Sequence, residues 1–304
     1  GAMLHSPAWE MRRMVHKRLK QDWSISSGVE DFEPALRRFR SYMENHGFRE
    51  STIIGYMASL KRFLAYAHDD KPSVDVAKSY RELMIERRLA RSTINNCSFA
   101  IKLYYKMLGI EIKFPFLQRN DNLPYFFDED DVLKVFACCR NLKHLAMLKT
   151  LFYGCLRASE LCNLDLPDLD IKAQTIRIRE GKGGKDGVVF LKDECIRTLR
   201  QYLAMRPQLQ LEDGHPLFYT VYGKRWDRRD IHRIFVQYKD RAGISKPGGV
   251  HCFARHTPAT IMISKGADIR IVQKILRHND IKTTLRYAHV SDKTQREAYE
   301  KFLI

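Results

Sequence analysis

Apolar residues recur every three to four positions between residue 31 and about residue 110, and this spacing restricts the first third of the chain to helices. Gly47 suits the end of the first helix, and Ser51 suits the N-cap of the second. Two further helices are predicted over residues 74–89 and 92–109. Four short helices joined by tight turns predict a compact helical bundle. The first helix carries its apolar positions at Phe32, Leu36, Phe39 and Met43.

The stretch 111–127 interrupts this pattern. It contains two prolines and no clear period, so we interpret it as a connection between two domains, which suits a chain of 304 residues. After it, Asp128 suits a helix cap because acidic residues follow in the first turn, where the helix dipole favours them. Helices are also predicted at about 142–154 and 157–164.

One β-hairpin is predicted in the second half of the chain. Residues 175–179 alternate as a strand, the glycine-rich segment 181–187 turns, and residues 188–191 pair back. A second short strand is predicted at 217–220. The fold class expected is therefore mainly α with a small β-hairpin or sheet.

These observations predict four segments. We expect a basic N-terminal arm over residues 1–28, a helical domain over 29–112, a linker over 113–126 and a second domain over 127–304. The two larger segments are both long enough to bury a core.

The charge of the chain favours a polyanionic partner. Lysine and arginine number 53 against 36 aspartates and glutamates, which leaves a formal net charge of +17. An excess of this size favours a polyanion such as nucleic acid. Lys61, Arg62 and Arg91 of the first domain are candidate contacts to a phosphate backbone, and the alternative is that they form a solvated helix face.

Cysteine usage and hydropathy predict where the protein works. Seven cysteines are present without a CxxC pair, which favours reduced thiols in a cytoplasmic protein. No apolar run is long enough to cross a bilayer and no signal peptide is recognisable, so no membrane association is expected.

Five segments of the second half supply the parts needed to cleave a phosphodiester without a metal. Such a reaction needs a nucleophile, cations on the non-bridging oxygens and an acid for the departing oxygen. Arginine suits the second task because its planar fork binds phosphate and keeps its charge, whereas lysine or histidine suits the third. The segments are GCLRASEL, EGKGGKD, HCFARHTPAT, ILRHND and RYAHV.

In order and spacing these segments resemble the tyrosine recombinase (phage integrase) family, close to its Xer-like members. The resemblance covers nearly the whole chain. It implies a two-domain clamp, with an N-terminal helical core-binding (SAM-like) domain and a C-terminal tyrosine recombinase catalytic domain that ends in a helix. It also implies DNA strand exchange through a 3′-phosphotyrosine link and a Holliday junction, with no cofactor, metal or ATP.

The resemblance assigns the first two catalytic residues. The segment GCLRASEL is similar to the family's G-L-R-x-S-E-L and places the first catalytic arginine at Arg157, with Glu160 supporting it from behind. The segment GKGGK is similar to G-K-G-x-K and makes Lys182 the general acid for the 5′-oxygen. Lys185 is the alternative acid, and otherwise a DNA contact.

The remaining catalytic residues follow with the spacing of the family. Arg255, with His256 after it, matches the second arginine in L-R-H-x-F-A-T. His278 stands 23 residues later, where the family has L-G-H, and Tyr287 stands nine residues after that as the predicted nucleophile.

One motif departs from the family pattern. The family has H-x-x-R, but Cys252 stands three residues before Arg255 and His251 stands four before it. We expect His251 to reach the site through a local change at the start of this helix, because both positions share one helix face. Pro258, at the usual phenylalanine position, favours such a distortion. The alternative is that Cys252 occupies the place and the protein works without this histidine.

The resemblance implies a homotetramer on paired DNA sites, with the C-terminal helix (residues 291–304) exchanged between protomers. Two other functions stay open from the residues alone. One is a type IB topoisomerase that relaxes supercoils with similar chemistry, and the other is a catalytically weakened DNA-binding relative. A metal-dependent nuclease is disfavoured because no Asp/Glu cluster stands at ligand spacing.

Overall fold

The structure is a computed structural model that describes residues 32–118, 125–179, 187–207, 211, 214–278, 281–285 and 287. The chain divides into two compact units, Gly1–Asp121 and Asn122–Ile304. Three predicted features lie outside the described residues: the basic arm over 1–28, the hairpin tip with Lys182 and Lys185, and the C-terminal helix over 291–304. The domain boundaries stay predictions.

The first unit contains the helices expected from its apolar spacing. Leu36, Phe39 and Met43 are all buried on the first of them, as the pattern predicts. The second helix begins at Glu50, so the prediction of Ser51 as its N-cap is wrong: Arg49 takes that place without a capping side-chain hydrogen bond. The helices are α1 (Glu33–Asn45), α2 (Glu50–Ala67), α3 (Val74–Glu86) and α4 (Arg91–Met107).

The beginning of the predicted linker packs on the first unit. The Asn95 side chain donates to the carbonyl of Leu117 at 2.8 Å and accepts from the Leu117 amide at 3.0 Å. Arg81 donates to the carbonyl of Pro115 at 2.6 Å. These bonds satisfy the backbone of an irregular segment that would otherwise lose its hydrogen-bond partners to burial.

The second unit is helical around a small sheet. Asp128 caps the first of its helices as predicted, in a capping box with Asp131. The helices are α5 (Glu129–Cys138), α6 (Leu142–Tyr153), α7 (Ala158–Cys162), a 3-10 turn (Leu166–Asp168), α8 (Asp193–Met205), α9 (Arg228–Arg241), a π-helix (Cys252–His256), α10 (Thr257–Ser264), α11 (Ile269–Ile275) and α12 (Lys282–Leu285).

The sheet has three antiparallel strands in the order β1 (Leu169–Asp170), β2 (Thr175–Ile178) and β3 (Gly187–Phe190). The predicted hairpin is confirmed, since Ile178 at the end of β2 pairs with Gly187 at the start of β3. The strand predicted at 217–220 is wrong. Within that segment only Tyr219 forms an isolated bridge, with Arg225, and Pro216 just before it forms another, with Asp165, so no continuous partner strand is present.

Two apolar clusters organise the second unit. The larger one surrounds α6, and the smaller one gathers residues of α10 and α11 with Cys155 and Tyr287. The prediction of a mainly α chain with a small sheet is confirmed. Among the described helices, none combines the length and hydropathy that a membrane span requires.

Candidate active site

A carboxylate joins two arginines at the start of α7. Arg157 is the N-cap residue; its amide donates to Oε2 of Glu160 at 2.8 Å and its Nη1 donates to Oε1 at 2.6 Å. Nη2 of Arg277 donates to the same Oε2 at 2.7 Å. Burial alone would raise the pKa of Glu160, but Arg277 and Arg157 hold that pKa below its ordinary value. Glu160 is therefore the anion of this pair of cations.

Arg255 is the most deeply buried of the predicted site arginines. Its residue is 1% exposed, and it donates from Nη1 to the carbonyl of Cys155 at 2.7 Å and from Nη2 to that of Leu276 at 2.5 Å. Its Nε is buried and has no partner among the described residues. Burial first, and then the charges of Arg157 and Arg277, lower the pKa of Arg255 to about 10.

Arg277 was missed by the sequence analysis. Besides Glu160 it binds the carbonyl of Cys155 at 3.3 Å, and its Nε is buried without a partner in the described ranges. Its backbone is left-handed, with φ 53°, at the position where the resembled family has the glycine of L-G-H. An arginine at this glycine position was the available signal. Two guanidinium groups thus bind one carboxylate and a third, that of Arg255, lies close enough to interact with all three charges, which leaves a positive charge that suits an anion.

A π-helix absorbs the extra residue of the H-x-x-x-R segment. The amide of Thr257 bonds to the carbonyl of Cys252, five residues back, so one turn holds one residue more than an α-turn. Pro258 follows, and it has no amide to continue the α-helical ladder. The local distortion expected before Arg255 is therefore present.

This turn separates the two residues that compete for the histidine place. The Cys252 thiol is buried in the larger apolar cluster and donates to the carbonyl of Tyr125 at 2.6 Å. The His251 ring meets the His256 ring edge-on, with centroids 4.9 Å apart. His251, rather than Cys252, is thus placed beside the residue that follows Arg255.

Tyr287 is buried, at 1% exposure, and its hydroxyl forms a short hydrogen bond with Nδ1 of His256. It belongs to the same apolar cluster as Cys155 and Leu276, whose carbonyls bind Arg255. The cluster that contains the tyrosine therefore also contains the two residues that bind the buried arginine. The contact with His256 was not predicted, because spacing identifies the tyrosine but not its partner.

His278 follows Arg277 directly, in the turn after α11. Its Nδ1 and the hydroxyl of Thr284 lie 2.9 Å apart, and its amide donates to the carbonyl of Gln273 at 3.1 Å. These contacts orient the ring from α11 and α12. The structure therefore carries His278 and Arg277 on one rigid turn.

The remaining predicted residues lie outside this cluster or outside the described residues. Lys182 and Lys185 belong to the hairpin tip, which the structure does not describe, although the base of the hairpin is close: a Cβ at Gly187 would lie 2.9 Å from Cδ of Arg277. In the first unit, Lys61 and Arg62 are exposed on α2, and Arg91 begins α4. Within the described ranges, no three His, Cys, Asp or Glu side chains are grouped to hold a metal ion.

The site places clustered arginines near a buried tyrosine, and the comparisons identify the family. The profile of the phage integrase family matches residues 125–294. The chain is 30% identical over 278 residues to tyrosine recombinase XerA of Pyrococcus horikoshii, covering 88% of this chain and 92% of the relative. It is 35% identical over 278 residues to tyrosine recombinase XerC of Thermodesulfovibrio yellowstonii, covering 84% and 91%.

A solved structure shares the fold. The Tn1549 transposon integrase in complex with transposon right end DNA matches with a TM-score of 0.69 at 19% identity. The match covers 89% of this chain and 99% of the other. The chain belongs to the phage integrase family, and the resemblance stated from its motifs is confirmed.

Proposed function

We propose that this protein is a site-specific DNA recombinase that cleaves and rejoins DNA through Tyr287. The observation that carries the proposal is a cluster of three arginines beside a buried tyrosine whose hydroxyl is held by an imidazole: Arg157 and Arg277 bind the carboxylate of Glu160, and Arg255 is buried near them. The similarity to named tyrosine recombinases supports the same function.

The arginines would bind the scissile phosphate. A phosphodiester in the pentavalent transition state carries more charge on its non-bridging oxygens than in the ground state, so fixed cations stabilise the transition state preferentially. Arg157 and Arg255 would donate to these oxygens, and His278 would add a further donor. The buried Nε of Arg255 has no hydrogen-bond partner among the described residues, and a phosphate oxygen that reached it would satisfy it.

The cleavage step balances without a cofactor. Oη of Tyr287 attacks phosphorus, the bond from phosphorus to the 5′-oxygen breaks, and the DNA 3′ end stays attached as a phosphotyrosine. Nδ1 of His256, when neutral, accepts the tyrosine proton, and Lys182 protonates the leaving 5′-oxygen, with Lys185 as the alternative donor. Attack by a 5′-hydroxyl of another strand reverses the step, and no ATP is needed because the link preserves the bond energy.

His251 is proposed to complete the pocket in place of the family's H-x-x-R histidine. The π-helix and the ring contact with His256 support His251, and the core position of Cys252 argues against the thiol. His251 would assist proton transfer through His256 or bind the phosphate directly.

Double-stranded DNA is the proposed substrate. The Tn1549 integrase, which has this fold, was solved in complex with transposon DNA. Lys61, Arg62 and Arg91 are proposed phosphate contacts of the helical unit, in keeping with a formal net charge of +17. Strand exchange through a Holliday junction would proceed in a homotetramer whose C-terminal helices are exchanged, on DNA of the cytoplasmic nucleoid.

A nicked suicide duplex tests the proposal. The DNA is first selected by the wild-type protein from a random-sequence pool, and a nick placed next to the cleavage point lets the short 5′ fragment diffuse away and traps the adduct. We expect a covalent complex with wild type and none with Tyr287→Phe. Tyr222→Phe, at an exposed tyrosine of the same unit, is the matched control and retains the adduct.

This assay and two further ones separate the alternative functions. No adduct with wild type on any selected duplex would contradict the enzyme and favour a DNA-binding relative. Relaxation of a supercoiled plasmid that lacks the selected site would favour the topoisomerase. Exchange between two duplexes that both carry the site supports the recombinase.

A further inference from the structure

We propose that Arg277 is a positioning residue that holds Arg157 and Arg255 in their orientation toward the scissile phosphate. This inference rests on the proposed function of the site. Arg277 shares one hydrogen-bond acceptor with each of these two arginines, and no other described side chain does so.

The first shared acceptor is Glu160. One carboxylate oxygen receives Nη1 of Arg157 at 2.6 Å, and the other receives Nη2 of Arg277 at 2.7 Å. The Glu160 side chain is 8% exposed, so water contributes little to its orientation. Removal of Arg277 would leave Glu160 bound from one side only, and Arg157 would gain freedom to rotate with it.

The second shared acceptor is the carbonyl of Cys155. It receives Nη1 of Arg255 at 2.7 Å and Nη2 of Arg277 at 3.3 Å. Cys155 has a left-handed backbone, with φ 47°, as does Arg277. Such conformations persist in residues other than glycine only where the surroundings determine them, and the Arg277 side chain, by donating to the Cys155 carbonyl, connects the two positions.

The aliphatic stem of Arg277 extends the connection to the sheet. Gly187 begins β3, and a Cβ at this position would lie 2.9 Å from Cδ of Arg277. Only glycine allows so close an approach of the stem to the strand. β3 is the second strand of the hairpin whose tip carries Lys182. Arg277 therefore lies at the base of the element that bears the proposed general acid.

The alternative is that Arg277 acts only through its charge. Arg277 also adds positive charge to the pocket, and any cation at this position would do the same. Nη2 of Arg277 binds both the carboxylate and the Cys155 carbonyl, while Nη1 donates to the carbonyl of Ile275 at 3.2 Å. The planar guanidinium is thus fixed at both of its ends, which a single ammonium nitrogen cannot reproduce. Lysine therefore separates the two roles, since it keeps the charge and loses the fork.

The experiment measures covalent-complex formation under single-turnover conditions, with excess protein and the nicked duplex selected by wild type. We expect Arg277→Gly to lower the rate about 10- to 100-fold, since small misplacements at a reaction centre have effects of this order. Its Kd for the duplex stays within about 2-fold, because other phosphate contacts dominate affinity. Arg277→Lys recovers only a small part of the rate.

A double-mutant cycle adds a readout that a general loss of stability would not produce. Glu160→Gln and Arg277→Gly act on the same connection. The fold-loss of cleavage rate in the double variant should therefore be much smaller than the product of the two single fold-losses. Arg277→Asn is the second variant, because asparagine tolerates a left-handed backbone. It should fold and be as slow as Arg277→Gly.

Arg88→Gly is the matched control, because Arg88 is an exposed arginine of the first unit with the same left-handed backbone, φ 53°. Its cleavage rate should equal that of wild type. A wild-type rate in Arg277→Gly, full recovery by lysine, or a loss confined to Kd would each overturn the inference. Absence of an adduct with wild type itself would instead overturn the proposed function.

Discussion

The two units bury the same residue types against different partners. Tyr105 of the first unit donates its hydroxyl to the carbonyls of Pro72 and Ser73, at 2.8 and 2.9 Å. Tyr287 of the second unit is equally buried, but its hydroxyl meets an imidazole nitrogen. A carbonyl orients a hydroxyl without taking its proton, whereas an imidazole does both. The partner, not the burial, separates a structural tyrosine from a candidate nucleophile.

Buried arginines show the same contrast. Arg81 of the first unit donates to the carbonyl of Pro115 and lies over the ring of Phe114, 5.8 Å from its centroid. Arg255 lies beside two further arginines, and that repulsion adds to burial in lowering its pKa to about 10. Nε is buried without a partner among the described residues in both Arg81 and Arg255, so what distinguishes Arg255 is the pair of cations beside it and the carboxylate that binds them.

The largest expected effect on the cleavage rate comes from replacing Arg255 with lysine, and Arg81→Lys is the matched variant of the first unit. Arg255→Lys should lower the cleavage rate about 100- to 1000-fold, because the fixed fork on the phosphate is lost. Arg81→Lys should leave that rate unchanged and cost about 1 kcal/mol of stability through its carbonyl hydrogen bond. Single-turnover cleavage and urea unfolding of both variants measure this. Equal cleavage rates for Arg255→Lys and Arg81→Lys would mean that the buried arginines of the two units do not differ in function.

The second prediction concerns the π-turn. His251→Ala should slow cleavage about 10- to 100-fold, within the range for a proton-transfer residue. Cys252→Ala should keep the cleavage rate and lose about 1 kcal/mol of stability, because the thiol packs in the core. The opposite pattern, with a slow Cys252→Ala and a normal His251→Ala, would place the thiol in the pocket.

The third prediction uses an anion without DNA. Inorganic phosphate should raise the free energy of unfolding of the wild-type protein by about 1.4 kcal/mol at ten times its Kd. The reason is that phosphate binds the arginine cluster of the folded state and not the unfolded chain. Chloride at equal ionic strength is the control. Thermal unfolding of Arg255→Ala should show no gain from phosphate beyond that of chloride, and an undiminished gain would place the anion elsewhere.

The smallest effect is the pH dependence contributed by Glu160. Its pKa is lowered in the folded protein, so its stabilising contribution is present above the ordinary pKa of a glutamate and is lost as the pH falls through the folded pKa. Between pH 5 and 3, wild type should therefore lose more free energy of unfolding than Glu160→Gln. Parallel urea titrations measure the difference, and identical slopes would mean that the arginines do not act on this carboxylate.

Local patterns predicted the elements better than the contacts between them. The apolar spacing around Phe39 and the acidic turn after Asp128 predict helices because both signals act within a few residues. Ser51 failed as a cap because a suitable side chain near a helix start does not determine the first residue of the helix. The segment 217–220 failed because a strand needs one continuous partner, whereas the bridges here go to two separate segments, at Asp165 and Arg225.

The site shows the same limit. Spacing located Arg255, His278 and Tyr287, since motif distances are a property of the sequence alone. It could not assign Arg277 or the contact between His256 and Tyr287, which join separate helices across the unit. The π-turn was expected only as a distortion, because its form depends on where the core receives Cys252.

The identity of the residue linked to DNA tests the central claim most directly. The covalent complex trapped on the nicked duplex is digested with protease and nuclease, and the linked peptide is sequenced by mass spectrometry. The account predicts a single linked peptide that contains Tyr287, bearing a nucleotide through its 3′-phosphate. A link to any other tyrosine, Tyr105 included, or a link through a 5′-phosphate would contradict it.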